Sequence, residues 1–174
     1  MFKKSLLTLF AALSLAGAFT AQADPPKKAP PPPPPIPISS LPFAIYAPGT
    51  YVLTGNLSYP ATDSVNPVAI GINIPAQGLG SAIILDFKGF TITNTTTDAN
   101  LQSRSQGIRI VSNQNIPILS PIPITIRNGT LVNFNWGVFD LLVSGITVNN
   151  MTFNEVAYPL TINYPTPVVV NSNW

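Results

Sequence analysis

The chain has 174 residues, with eight Lys and Arg against six Asp and Glu, and neither His nor Cys. Only 8% of residues are charged, whereas 45% are hydrophobic and 20 are Pro. That composition excludes a disulfide framework, a zinc finger, a thiol nucleophile and an imidazole base, and six carboxylates are too few for a dense calcium or di-metal site, so neither a metal site nor a cofactor is expected.

Residues 1–23 read as a secretory signal peptide. Lys3 and Lys4 make a basic start, residues 6–19 are apolar apart from Thr8, Ser14 and Gly17, and Ala21-Gln22-Ala23 supplies a small-residue cleavage site before Asp24. The apolar run is shorter than the ~20 residues a bilayer span requires, so no transmembrane segment is expected in the mature chain. No Cys follows the small residues and no twin Arg precedes them. The expected route is therefore Sec export, to the periplasm, the cell surface or the exterior. Cleavage would leave six basic and six acidic residues. The net positive charge thus belongs to the leader and gives no support to a nucleic-acid partner.

Residues 24–38 form a proline tether. Nine of the thirteen residues at 25–37 are Pro, with an unbroken run at 30–35. Pro fixes φ and has no N–H, so this stretch is expected neither to ladder into a sheet nor to coil into an α-helix. As polyproline II, rising about 3.1 Å per residue, it would span about 40 Å. In an exported chain a spacer is the simpler reading than a ligand for a proline-binding groove.

From residue 39 to 174 the composition changes to Ile, Val, Thr and Asn, interrupted by Gly, Pro and Ser, and Glu155 is the only Glu in the chain. This is strand-and-turn chemistry without a helical period, and it predicts an all-β domain. An internal repeat narrows the choice. Ile124-Thr125-Ile126-Arg127-Asn128 is followed 22 residues later by Ile146-Thr147-Val148-Asn149-Asn150, and 22 residues after that by Val168-Val169-Val170-Asn171-Ser172. Thr130 and Leu131 are matched by Thr152 and Phe153. A gapless period suits one turn of a solenoid, each strand stacking in register on its equivalent about 4.8 Å away. Asn128 and Asn150 then fall at equivalent bends, where their side-chain amides would form a structural ladder. Asn128-Gly129 is alternatively a type I′ hairpin turn. The N-x-[ST] matches at Asn56, Asn94, Asn128 and Asn150 are best read as accidents of an Asn- and Thr-rich chain.

Three segments occur in order: Gly49-Thr50-Tyr51-Val52-Leu53-Thr54-Gly55-Asn56-Leu57, then Ile84-Leu85-Asp86-Phe87-Lys88-Gly89-Phe90-Thr91-Ile92, then Ile124-Thr125-Ile126-Arg127-Asn128-Gly129-Thr130-Leu131. Together they resemble the N-terminal part of bacterial secreted right-handed parallel β-helix proteins of the pectin-lyase-like superfamily, over about residues 47–174. The resemblance implies a short right-handed parallel β-helix of about 22 residues per turn. It implies little about activity, because members include lyases, hydrolases, epimerases and adhesins.

The enzymatic motifs of that superfamily find no counterpart. Its hydrolases use clustered Asp, commonly with a His, and its pectate lyases use acidic calcium ligands with an Arg or Lys base. Here Arg127 is expected to point outward from its strand, and the positions one and two turns on are Asn149 and Asn171. Asp86 and Lys88 lie in the stretch of general resemblance and read as structural. Asp140, near Trp136 and Phe139, reads as a lone exposed loop acid with no special role, sugar binding beside an aromatic being the alternative. No paired carboxylates are identifiable, and no catalytic residue is assigned.

Residues 94–106 and 112–121 read as inserted loops, the places where solenoids carry recognition. The chain stops at Trp174 without a capping segment, which suggests either self-association at an open C-terminal end or a C-terminally truncated domain. Two functions follow. The first is an exported, non-catalytic β-helix with a structural or binding role, for which polysaccharide is the candidate ligand and Trp136, Asp140, Tyr158, Tyr164 and Arg127 are the candidate contacts. The second is a fragment or remnant of a polysaccharide lyase or hydrolase.

Overall fold

The computed structural model describes residues 31–62, 65, 67–74, 82–112, 123–141, 145–162 and 169–173. The signal-peptide assignment, residues 24–30 of the tether, most of the second insert, Tyr164 and Trp174 lie outside the described residues. The chain divides into two units, Met1–Pro32 and Pro33–Trp174. Of the first, only Pro31 and Pro32 are described; the second holds every described strand.

The strands in chain order are β1 (Ile36–Ile38), β2 (Phe43–Ile45), β3 (Gly49–Leu53), β4 (Leu57–Tyr59), β5 (Val68–Ile74), β6 (Ile83–Asp86), β7 (Thr91–Asn94), β8 (Gln106–Ser112), β9 (Ile124–Val132), β10 (Trp136–Leu141), β11 (Ile146–Asn154), β12 (Tyr158–Ile162) and β13 (Val169–Asn173). A single turn of helix, α1 (Ala99–Gln102), lies between β7 and β8. No described helix is long and apolar enough to cross a membrane.

Two sheets result. One runs β1-β3-β6-β9-β11-β13, with β4 and β7 joined to it through β9; the other runs β12-β10-β8-β5-β2. Every strand pairing described is parallel. Within each sheet the strands follow chain order, and the chain passes from one sheet to the other and back. Only a coil does this: parallel neighbours need a crossover, and here each crossover carries a strand of the opposite sheet. The fold is all-β and solenoidal, compatible with a parallel β-helix.

Stacking in register builds apolar columns inside the coil. Tyr51, Leu85, Ile126 and Val148 are successive partners in the larger sheet, as are Ile83, Ile124 and Ile146. All are buried. In the smaller sheet Ile45, Ile72 and Ile110 form the matching column, fully buried. The step is not constant: Asn128 and Asn150 are 22 positions apart, whereas the register partners Asp86 and Arg127 are separated by 41. The difference lies in the crossovers between β6 and β9, which include the α1 insert.

The bends depend on a few residues in the left-handed region. In β11 the buried positions are Ile146 and Val148, then Met151 and Phe153. Alternation with a period of two therefore changes phase between Val148 and Met151. Asn150, with φ of 52°, sits at that point, and Asn128, with φ of 61°, sits at the same point of β9. One residue at positive φ turns the strand and returns its next apolar side chain to the interior, and Asn tolerates this better than most L-residues. One turn earlier the same corner is a wider turn carrying Lys88 (φ 56°) and Gly89 (φ 85°). Asn128-Gly129 is therefore not a hairpin turn, since β9 runs through it. Gly129 is needed because the Phe87 side chain, fully buried, occupies the space a Cβ would fill.

Two assignments from composition change. Ile36–Ile38 is a strand in register with Tyr51, Val52 and Leu53, so the sheet begins inside the segment read as tether. Pro37 is admitted because β1 is an edge strand, where a missing N–H breaks no ladder. The insert at 94–106 holds α1, whose N-cap Asp98 accepts from the N–H groups of Asn100 (2.8 Å) and Leu101 (3.2 Å).

Substituting Gly129→Ala is expected to lower stability by about 1–3 kcal/mol through overlap with Phe87, read as a fall in Tm or in the denaturation midpoint. Gly55→Ala, where an added Cβ meets nothing within 4 Å, is expected to stay within about 0.5 kcal/mol of the parent.

Candidate functional site

The strand alternation that fills the interior also determines what faces out. On the smaller sheet Ala44, Gly71, Arg109, Phe139 and Thr161 are successive register partners, none of them buried, and they form one outward column. Small residues at Ala44 and Gly71 leave a groove of about 500 Å³ beside Arg109, lined also by Pro42, Phe43, Val68, Asn73 and Val111. The Arg109 Nε is buried and has no hydrogen-bond partner among the described residues. An unmatched buried donor is costly, which makes it the group in the groove most in need of an acceptor.

A neighbouring column of the same sheet, Val68, Gln106, Trp136 and Tyr158 in register, ends in aromatics on β10 and β12. Trp136 and Tyr158 are register partners, and their rings stack with centroids 6.1 Å apart and an interplanar angle of 23°. Phe139 meets Trp136 edge-on at 5.9 Å. Tyr158 is 56% exposed. Trp136 and Tyr158, singled out as candidate contacts, are thus brought together; Tyr164 lies outside the described residues.

The other two candidates go elsewhere. Asp140 is not an exposed loop residue. It lies in β10 and is fully buried, because alternation puts Val138 inward, Phe139 outward and Asp140 inward again. It takes the position in the column that Ile45, Ile72 and Ile110 hold on earlier turns.

Arg127 does face outward, but its guanidinium is engaged by Asp86. Nε and one terminal nitrogen both lie 2.9 Å from Asp86 Oδ2. The other oxygen, Oδ1, accepts from the Lys88 backbone N–H (2.9 Å) and the Asn128 amide (3.2 Å). The Asn150 amide in turn donates to Asn128 Oδ1 at 3.1 Å. The Asn pair therefore belongs to a surface chain, Asn150 to Asn128 to Asp86, running along the corner rather than to groups turned into the core. Burial pushes the Asp86 carboxyl up, but the Lys88 N–H, the Asn128 amide and the Arg127 guanidinium together outweigh it and hold the carboxyl below its ordinary value. Asn94, another N-x-[ST] match, is buried, its amide donating to Asn133 O (2.9 Å) and its Oδ1 accepting from Thr96 N–H (3.0 Å).

Arg109, Gly71, Asn73 and Phe139 were not apparent as site residues in the sequence. The available signal was local: Ile70-Gly71-Ile72 and Ile108-Arg109-Ile110 each hold one odd residue between two inward Ile. What no spacing shows is that the two strands are neighbours. Among the described residues there is no group of three or more His, Cys, Asp or Glu placed to hold a metal. Comparison of the chain with protein-family models, curated proteins and solved structures found no match.

Asp86 has a folded-state pKa below its unfolded value. Its contribution to stability is present above the unfolded value, near 3.9, and is lost as pH falls through the folded value. Asp86→Asn is expected to cost about 2 kcal/mol at pH 7 through loss of charge-assisted hydrogen bonds. The gap between variant and parent should close in acid, as followed by denaturant melts between pH 7 and pH 2.

Proposed function

We propose that this chain is an exported, non-catalytic carbohydrate-binding module built as a right-handed parallel β-helix of the pectin-lyase-like type. The outer face of the smaller sheet would be its binding surface. Right-handed winding is supported by the strong preference of parallel crossover connections for that hand, and the pectin-lyase-like affinity by the three sequence segments at β3, β6–β7 and β9. Export is supported by the basic, apolar and small-residue succession at 1–23.

The observation that carries the binding reading is the set of aromatic and polar side chains that neighbouring columns of the smaller sheet bring together. Carbohydrate sites combine an aromatic platform with fixed hydrogen-bonding groups, since a sugar has apolar C–H faces and a polar rim. Trp136, Phe139 and Tyr158 supply the platform, and Arg109 and Asn73 the polar groups, all on one rigid sheet. No carboxylate occurs among the described residues that line the groove, so the lining favours holding a saccharide over hydrolysing one. An Arg donor lacking an acceptor favours acidic sugars within that class.

Affinity electrophoresis through gels containing polygalacturonate or neutral glucans tests this reading. Retardation is expected, strongest with the polyuronate. Arg109→Ala is expected to weaken it by about 10- to 100-fold, the loss of one charge-assisted hydrogen bond, while Gly71→Leu should fill the groove and abolish it with the melting curve preserved. No retardation by any glycan would overturn the reading. Release of unsaturated uronides on incubation would replace it with an enzymatic one.

A further inference from the structure

At the second corner of the coil, where β9 and β11 lead into β10 and β12, a recess of about 270 Å³ is lined by Ala99, Gln102, Ser103, Asn133, Phe134, Asn135, Glu155 and Ala157. Among the described residues it shares no lining residue with the groove beside Arg109. We propose that this recess binds a primary ammonium group carried on a small hydroxylated ligand, the chemistry of an amino sugar, with Glu155 as the counter-charge.

The first observation is backbone conformation. Asn133 and Glu155 occupy equivalent positions of successive turns, and both are left-handed, at φ of 61° and 54°. Asn suits that region; a longer side chain such as Glu does not, and it holds the conformation at a cost. The chain nevertheless puts its only Glu there. At the first corner the equivalent stacked pair is Asn128 and Asn150, so the Glu is not what the turn itself asks for.

The second observation is charge. Asp86 is held by Arg127, Asp98 caps α1 and Asp140 is buried in the interior. Glu155 is exposed, and no hydrogen bond or ion pair to it occurs among the described residues. Among the described carboxylates it is the exposed one without a hydrogen-bond or ion-pair partner.

The third is the balance of donors and acceptors around it. The Asn133 amide donates to Asn94 O (3.0 Å) and accepts from Gln102 Nε2 (2.6 Å). Gln102 keeps its Oε1 acceptor and one N–H. Ser103 donates its hydroxyl hydrogen to Asn100 O (2.9 Å), which leaves its oxygen lone pairs. The Asn135 side chain is uncommitted, and its carbonyl oxygen adds another acceptor. The recess thus presents carboxylate, amide and hydroxyl oxygens over the buried Phe134. An ammonium group has three donors and no acceptor, which the carboxylate and these oxygens can take, while the remaining amide N–H groups suit the hydroxyls of the ligand. Calcium is a poorer fit, because it takes six to eight oxygens and its protein sites normally include several carboxylates. The recess is smaller than the roughly 300–1,000 Å³ of drug-sized pockets, so it holds one compact residue rather than a polymer chain.

Titration of the full chain with glucosamine, N-acetylglucosamine and glucose, followed by NMR chemical shifts and by thermal shift, tests the proposal. Glucosamine is expected to bind and to perturb the amides of Asn135 and Glu155, with the two neutral sugars at least tenfold weaker. Glu155→Gln should reduce glucosamine binding at least tenfold. Glu155→Asn should do the same while raising Tm, because Asn relieves the left-handed strain, so its loss of binding is not a loss of folding. Equal binding of glucosamine and its N-acetyl derivative, unchanged binding by Glu155→Gln, or no binding of glucosamine by the parent chain would each overturn the proposal. Arg109→Ala is expected to leave this titration unchanged, which separates its fate from that of the glycan groove.

Discussion

Each turn of this coil must bend without presenting the wrong side of its strands to the interior. A strand has a period of two, so a bend that absorbs an odd number of residues inverts every side chain beyond it. At the first corner of β9 and β11 the inversion is corrected by one residue at positive φ, Asn128 and then Asn150. Because of that correction Leu131 and Phe153 are buried as Ile126 and Val148 are, and one continuous strand serves two faces. The surface chain from Asn150 through Asn128 to Asp86 and Arg127 fastens the corners of successive turns along the axis. Gly129 and Phe87 fill the inside of the same corner as a small residue facing a large one.

The stacking that follows from this constraint also builds the outer surfaces. Register on the interior column places every outward residue directly over its counterpart on the next turn, which is why Gly71, Arg109 and Phe139 meet although they are far apart in the chain. The stiff sheet beneath them fixes their spacing with little freedom to lose on binding a ligand. The second corner combines the same stacking with a carboxylate at a position that Asn fills one turn earlier. Departures from what the turn prefers are where a ligand contact is most economically sought.

Asp140 shows how an inward position follows from strand phase rather than residue type. Its neighbours Trp136 and Phe139 gave the impression of a surface acid, but β10 continues the alternation of β8 without interruption, and the position opposite Ile110 is interior. Pro37 shows the converse. Its residue type argued against any strand, yet the edge of the larger sheet accepts it.

The sequence by itself determined the elements that repeat: the β composition after residue 39, the 22-residue step linking Ile124, Asn128 and Thr130 to Ile146, Asn150 and Thr152, and the outward direction of Arg127. These are legible because period and residue type act locally, within one strand and its equivalent on the next turn. The tertiary structure alone decided which strands lie side by side in the earlier turns, where crossovers of unequal length hide the period. It therefore decided that Arg109 lies between Gly71 and Phe139, that Trp136 stacks on Tyr158, that Asp86 is the partner of Arg127, and that Glu155 opens onto the recess beside α1. Those relations depend on distances across the coil, which are set by how the crossovers close and not by any spacing along the chain.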